Sequence, residues 1–352
     1  LLGKPPARGL AARAATVSHP EARGETSMRS TVTRRALAQS LAATPLLAAP
    51  ALAQTPWPQR PVRIVVPYAA GGPSDVVARL LAPGWAAALN QNVVVDNRPG
   101  AGAVIGTEHV ARVGDGHTFL LADAPFTIAP AVQERMPYDA ANEFAPVTLL
   151  GAGTMILLVH QAFPARNVGE LLAAARARPE AVSFGGSGPG SLSHLLPEWL
   201  AQLGGGVRFA NVAYRGAAPA LQDAAAGQIN AVFGGLTGSL PTMQTGAVRA
   251  IGVAAEQRMP ELPDVPTLRE GGIDMVAANW FGILAPAATP APVRERLAEI
   301  TAAFIATPDM RQRLAAVGLE PRPTGTAPFG QLLTAEFARW AAVARAAGVR
   351  VS

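Results

Sequence analysis

Cysteine is absent from the 352 residues. Disulfides, thiolate metal sites, a cysteine nucleophile and lipid attachment through an N-terminal cysteine are all excluded with it. Aromatic residues are scarce at 5%, yet 49% of the chain is hydrophobic, so it has the apolar surface that a disordered chain lacks. Its 35 glycines show no every-third period, which excludes collagen. A basic excess is also missing from the body. The net charge is +5, but residues 1–53 hold seven basic and two acidic residues, leaving 22 of each sign for 54–352. A nucleic-acid binder carries its excess on the folded domain, so no nucleic-acid partner is expected. Beyond the leader the histidines are His109, His117, His160 and His194, with no H-E-x-x-H pairing. No metal site, no cofactor and no catalytic residue are assigned.

Met28 opens a basic start with Arg29, Arg34 and Arg35, followed by an apolar stretch ending in Ala51-Leu52-Ala53. Gln39, Ser40, Pro45 and Pro50 interrupt that stretch, which suits a membrane span of ~20 apolar residues poorly. Residues 28–53 read as a signal peptide cleaved after Ala53, with Thr33-Arg34-Arg35 a hint of twin-arginine export. Residues 1–27 read as an extension upstream of the true start at Met28. The exported chain is expected to be periplasmic, soluble and monomeric.

Strand, glycine loop and helix then alternate, the pattern of an α/β protein with parallel strands. Strands are expected at 61–67, 93–96 and 119–122, with helical character at 76–81 and a helix over 103–113. The unit repeats with strands at 181–184, 208–212 and 229–233 and helices at 192–203 and 217–226. Phe144–His160 is long, uncharged and apolar, and reads as strand crossing between two lobes. Trp280–Pro286 reads as the return crossing. Helices over about 292–306, 310–317 and 329–347 close the chain. The lobes are set at 54–148 plus 280–352, and at 149–279.

Two strand–loop–helix joints share one physical form, 67–75 and 183–193. Glycine permits close backbone approach, and the helix that follows offers orphan N–H groups and a positive dipole end to an anion. Ser74 or Asp75, and Ser191 or Ser193, are placed to cap those helices. The run Gly185–Gly190 holds four glycines beside hydroxyls, a loop suited to ligand contact. His194 reads as a helix residue packed behind that loop.

At these residues the chain resembles the Bug, or TctC, family of receptors for tripartite tricarboxylate transporters. The resemblance runs through PVRIVVPYAAGGPSD (61–75), VVVDNRPGAGAVIG (93–106), VSFGGSGPGSLSH (182–194), VAYRGAAPALQDAAAGQINAVF (212–233) and Trp280–Pro292. It implies a two-lobed periplasmic binding protein fold, type II-like, with crossing hinge strands. It also implies a small carboxylate ligand and membrane transporter subunits as partners. Carried over, the ligand contacts fall on Tyr68, Ala69, Ala70, Gly71, Gly72, Ser74 and Asp75 in the first loop. In the second they fall on Ser187, Gly188, Gly190, Ser191 and His194. Asp123 and Thr127 form a third wall, and Gly234 faces the ligand side. Gly234-Gly235 stands where the family has an acidic residue, and Ala129-Pro130 where relatives often have Asn-Pro. Both departures suggest a larger or less polar distal group on the ligand.

Two rivals remain. Gly100–Gly106 has the spacing G-x-G-x-x-x-G after a strand, with Asp123 about 20 residues on, as an NADP-binding oxidoreductase would require. A serine hydrolase motif, G-x-S-x-G, is absent from the glycine loops. The same receptor architecture would also serve a ligand sensor that signals to a regulatory partner.

Overall fold

The structure, a computed structural model, describes residues 57–351. The signal peptide and upstream extension assigned to residues 1–53 lie outside the described residues.

Three short, largely apolar runs form the first sheet: β1 (Val62–Val66), β2 (Val93–Asn97) and β3 (Thr118–Asp123). Strand β1 pairs in parallel with both others, giving the order β2-β1-β3. Helix α1 (Pro73–Leu89) joins β1 to β2, and α2 (Val104–Val113) joins β2 to β3. Strand β9 (Ala278–Pro286) lies antiparallel to β3, with Asp123 opposite Phe281. The expected parallel pattern is thus completed by antiparallel strands, and each sheet is mixed.

Strand β4 (Phe144–His160) does pass between the two halves. Phe144 to Thr154 pairs with β9, and β10 (Glu320–Thr324) pairs along the same stretch. From Met155 to His160 the strand pairs instead with β7 (Ala231–Gly235) and β8 (Val248–Val253). Beyond β7 lie β5 (Ser183–Gly186) and β6 (Ala210–Ala213), all parallel. One 17-residue strand therefore belongs to both sheets.

Period-two alternation sends apolar side chains of these strands to both faces. Val62, Ile64 and Val66 enter one core, under α1 and α8 (Ala291–Ile305), while Val65 enters another. In β4, Ile156 and Leu158 enter a third core, and Leu157 and Val159 join Val65's. A strand covered on both faces has no polar side to display. Trp85 of α1 is fully buried, and its indole N–H donates to Thr301 Oγ1 of α8 at 2.9 Å. Large side chains buried this way stabilise by about 1.5–3 kcal/mol each.

The C-terminal helix α10 (Thr326–Ala347) lies along the core that both halves share. Its Phe337 packs on Phe126 of α3 (Pro125–Val132), with ring centroids 5.8 Å apart. Further along, Trp340 meets Trp199 of α5 (Leu192–Leu203), and Gln202 Nε2 donates to the Val343 carbonyl at 3.0 Å. Helix α10 thus touches both halves. Helices α4 (Val168–Ala177), α6 (Ala217–Ala225), α7 (Leu236–Gln244) and α9 (Pro308–Ala316) complete the fold.

Candidate functional site

The first loop leaves β1 at Pro67 and enters α1 through Gly72. Gly72 is the N-cap residue, and no side chain caps the helix. This corrects the expectation that Ser74 or Asp75 would be the N-cap. Pro73 lacks an N–H and has its φ preset, so it fits the first helical position and starts the helix earlier. Asp75 then falls two positions further in and reaches back, accepting the Gly71 N–H on Oδ2 at 2.9 Å. Gly71 has φ +87°, a left-handed conformation that glycine adopts without strain.

The same Asp75 oxygen accepts from Arg79 Nε at 2.9 Å, and Arg79 Nη2 donates to Asn97 Oδ1 at 3.2 Å. Asn97 Nδ2 in turn donates to the Tyr68 carbonyl at 3.1 Å. The loop is therefore tied to the end of β2 by a chain of four polar groups. Arg79's hydrogen bond, helped by the Gly71 amide, holds the Asp75 carboxyl below its ordinary range despite burial. Asp75 thus works to shape the loop, and Ala69, Ala70 and Gly71 are the exposed positions. Arg79 and Asn97 were not singled out from sequence. The spacing Asp75-x-x-x-Arg79, one helical turn, was the available signal for the first.

Tyr68 points the other way. Its hydroxyl donates to Asp123 Oδ1 at 2.7 Å, joining the carboxyl ends of β1 and β3. Asp123 is 7% exposed, and desolvation pushes its carboxyl up to about 7, with the Tyr68 hydrogen bond opposing. Burial, then the Asp123 charge, raises the Tyr68 phenol in turn. Thr127 on α3 is fully buried, and its hydroxyl donates to the Ala124 carbonyl at 2.9 Å. The structure turns that hydroxyl to its own helix and not toward the two loops.

The second loop, Ser187–Ser191, is held from within. Ser191 is the N-cap of α5, accepting the His194 N–H on Oγ at 3.2 Å. Ser193 Oγ accepts the Ser187 N–H at 2.8 Å and lies 3.1 Å from Ser187 Oγ. His194 Nδ1 accepts the Gly190 N–H at 3.1 Å. Burial lowers the His194 pKa, against a weaker pull from Glu198, so the ring is neutral, as accepting on Nδ1 requires. The histidine thereby helps to shape the loop. Gly188 and Gly190 have φ +103° and +74°.

Gly190 also carries the loop across to the other half. A Cβ there would lie 2.9 Å from Val132 Cγ2 at the end of α3 and 3.1 Å from Val351 Cγ2. At the end of β7, Gly234 and Gly235 differ sharply. A Cβ on Gly234 would meet Ser239 Oγ at 2.4 Å, whereas Gly235 faces no atom within 4 Å.

Two hollows adjoin the first half. One of about 10 Å³ lies beside Asp123, bounded by Pro67, Gly102, Ala103 and Tyr138. A groove of about 440 Å³ runs between Met136, Tyr138 and Phe337, with Thr127 in its lining and no residue of either glycine loop. No cluster of three potential metal ligands occurs among the described residues.

The dinucleotide reading does not fit the topology. Strand β1 lies between β2, which feeds the glycine run, and β3, which ends in Asp123. A nucleotide fingerprint needs its acid on the strand beside the glycine loop's own. Here Asp123 bonds Tyr68, and the non-glycine Ala101 and Ala103 have φ +47° and +81°.

The family model for the tripartite tricarboxylate transporter family receptor, TctC, matches residues 77–349. The chain is similar to three solved structures. One is the periplasmic binding protein BugD, 34% identical, with 84% of this chain and 99% of that one covered and a TM-score of 0.68. Another is Rpa4515 of R. palustris with adipate, 34% identical, covering 84% and 99%, with a TM-score of 0.71. The third is MatC of Rhodopseudomonas palustris with bound malate, 32% identical, covering 82% and 99%, with a TM-score of 0.68. With a two-lobed α/β architecture joined by crossing strands, and a family match over most of its length, the chain belongs to the TctC family of solute receptors.

Proposed function

We propose that the protein is a periplasmic receptor that closes on a small carboxylate and delivers it to a membrane transporter of the tripartite tricarboxylate type. The observation that carries the reading is the pair of glycine loops, each at a strand's carboxyl end and each leading into a helix N-terminus. Backbone N–H groups and helix dipoles hold an anion without a basic side chain. The carboxylates named with the relatives Rpa4515 and MatC, adipate and malate, are of that chemical class.

The ligand contacts assigned are the first-loop residues Tyr68 to Gly72, of which Ala69, Ala70 and Gly71 are exposed, and Ser187, Gly188 and Ser191 in the second. Asp75 and His194 shape these loops. Gly235 is the position with room for a distal group. Residues 149–279 move as one lobe about the β4 and β9 crossings, and ligand contacts to both loops favour the closed state. Export through the leader at 28–53 delivers the chain to the periplasm.

The test is a thermal-shift panel of di- and tricarboxylates, acidic amino acids, aromatic acids and NADP on the purified chain, with calorimetry on each hit. A dose-dependent rise in Tm with a carboxylate is expected, because a ligand of the native state alone stabilises it. Stabilisation by NADP alone would overturn the reading.

A further inference from the structure

The residues that follow α10 form a strap at the junction of the two halves. Gly348 ends the helix in the left-handed region, at φ +66°, where glycine is the residue best suited. The chain turns there, and the Val349 N–H donates to the Ala344 carbonyl at 3.0 Å. Val351 then runs parallel to the residues after α3, opposite Gln133. Its N–H donates to the Val132 carbonyl at 2.8 Å, and its carbonyl accepts the Glu134 N–H at 3.2 Å. Both bonds are made by backbone, so the strap is fixed to the first half independently of its side chains. The side chains of Val132 and Val351 meet the second glycine loop. A Cβ added at Gly190 would lie 2.9 Å from Val132 Cγ2, 3.1 Å from Val351 Cγ2 and 3.5 Å from Val132 Cβ. Val132 is buried and Val351 partly buried. The Gly190 N–H is bound to His194 within its own half. Among the described residues, no hydrogen bond or ion pair joins residues 187–191 to the strap or to the end of α3. A contact of this kind parts without leaving a polar group unpaired, the costly event in opening a buried surface.

We infer that Val132 and Val351 form a latch: the second glycine loop seats on them through Gly190 when the lobes close, and this contact sets how long a bound ligand is held. Gly190 stands between Gly188 and Ser191, which are assigned to the ligand, so the statement about ligand residence rests on the receptor reading above. The two valines touch no ligand and act through Gly190, as positioning residues. Seating adds apolar contact to the closed state alone, which raises the closed population. Glycine at 190 therefore answers two demands. It adopts φ +74° without strain, and it places no side chain between the loop and its seat.

The absence of cysteine gives a direct test, because a single engineered disulfide then has no competitor. The 3.5 Å between Val132 Cβ and an added Cβ at Gly190 lies in the range that a disulfide spans, about 3.5–4.5 Å. The full chain carrying Gly190→Cys and Val132→Cys is loaded with malate or adipate and then treated with a thiol oxidant. Release should slow by more than about tenfold on oxidation, since a closed site holds its ligand until it opens, and should recover on reduction. Without ligand, oxidation should make the chain more compact in small-angle X-ray scattering. Equal release from the oxidised and reduced forms overturns the latch, because loop and valines then stay together while ligand leaves. A side chain at φ +74° is strained, so Val351→Gly supplies a second test that leaves the loop's own sequence intact. The strap's backbone bonds remain, and release should quicken by about threefold to tenfold with association unchanged. Release at the wild-type rate in Val351→Gly also overturns the latch. Compaction on oxidation, with no binding of malate, adipate or a tricarboxylate by the wild type, overturns the receptor reading and supports the latch.

Discussion

Trp199 of α5 and Trp340 of α10 meet edge to face, with ring centroids 5.9 Å apart, and the Arg339 guanidinium lies 4.8 Å above the Trp199 ring. This contact ties the second half of the molecule to a helix that also packs on α3 of the first. Trp340 is 1% exposed, and its indole N–H donates to the buried Glu336 at 2.8 Å. Trp340→Ala should therefore cost about 3–5 kcal/mol. Trp199 is only partly buried, so Trp199→Ala should cost less, about 1–2 kcal/mol, and should speed ligand release by loosening the closed state. Denaturant melts and stopped-flow dissociation of a bound carboxylate measure both. Unchanged release would mean that the halves do not separate along this contact.

Asp75 shapes the first loop through the Gly71 amide and Arg79, and its two partners predict different losses. Asp75→Ala removes a buried, charge-assisted acceptor, an effect of about 1.5–3 kcal/mol, and frees Gly71 to leave its left-handed geometry. Carboxylate affinity should fall with stability. Arg79 is more than half exposed, so its ion pair is screened and Arg79→Ala should cost less than about 1 kcal/mol. The pH dependence follows from the lowered Asp75 pKa. Its contribution is present above the unfolded value of about 3.9 and is lost as pH falls through the lower folded value. Acid melts of wild type against Asp75→Asn check the window.

Gly234 and Gly235 separate stability from specificity. Gly234→Ala drives a methyl toward Ser239 Oγ, 2.4 Å from the added carbon, and overpacking of that kind costs about 1–3 kcal/mol. Gly235→Asp enters open space and should change stability by less than about 0.5 kcal/mol. If Gly235 borders the distal group of the ligand, the aspartate should reorder affinities across a series of diacids of increasing length. An unchanged order would place the distal group elsewhere.

Much of this was legible because hydrophobic runs and turn residues agreed. The uncharged stretch 144–160 is one strand with the same bounds, and the hydroxyl at Ser191 caps α5 as its sequence suggests. Helix α4 was not read, although Asn167 and Glu170 three residues on carried its signal: Asn167 Oδ1 accepts the Glu170 N–H, and Glu170 Oε2 accepts the Arg166 N–H. Strand β10 was not read either, because Pro321 and Pro323 argue against a ladder. It pairs only at an edge, where close approach is allowed by Gly151. The bond between Tyr68 and Asp123 joins residues 55 positions apart, and no local period reports it. Only the order β2-β1-β3 brings those strand ends together.

Asp123 makes a final prediction that needs no ligand. Its carboxyl titrates at about 7 in the folded chain and at about 3.9 when unfolded. Between those values the folded state holds a proton that the unfolded state has released, so stability falls as pH rises through the window. Below about pH 4 and above about pH 7 the effect is flat. The full difference is at most roughly 4 kcal/mol. In Asp123→Asn this slope is absent, so the variant should gain on the wild type from pH 5 to pH 8 by a few degrees in Tm. The Tyr68 hydroxyl keeps an acceptor in the amide oxygen, so the fold is preserved for the comparison. Parallel melting curves at both pH values would show that Asp123 is ionised throughout, with a compensating group in contact with it.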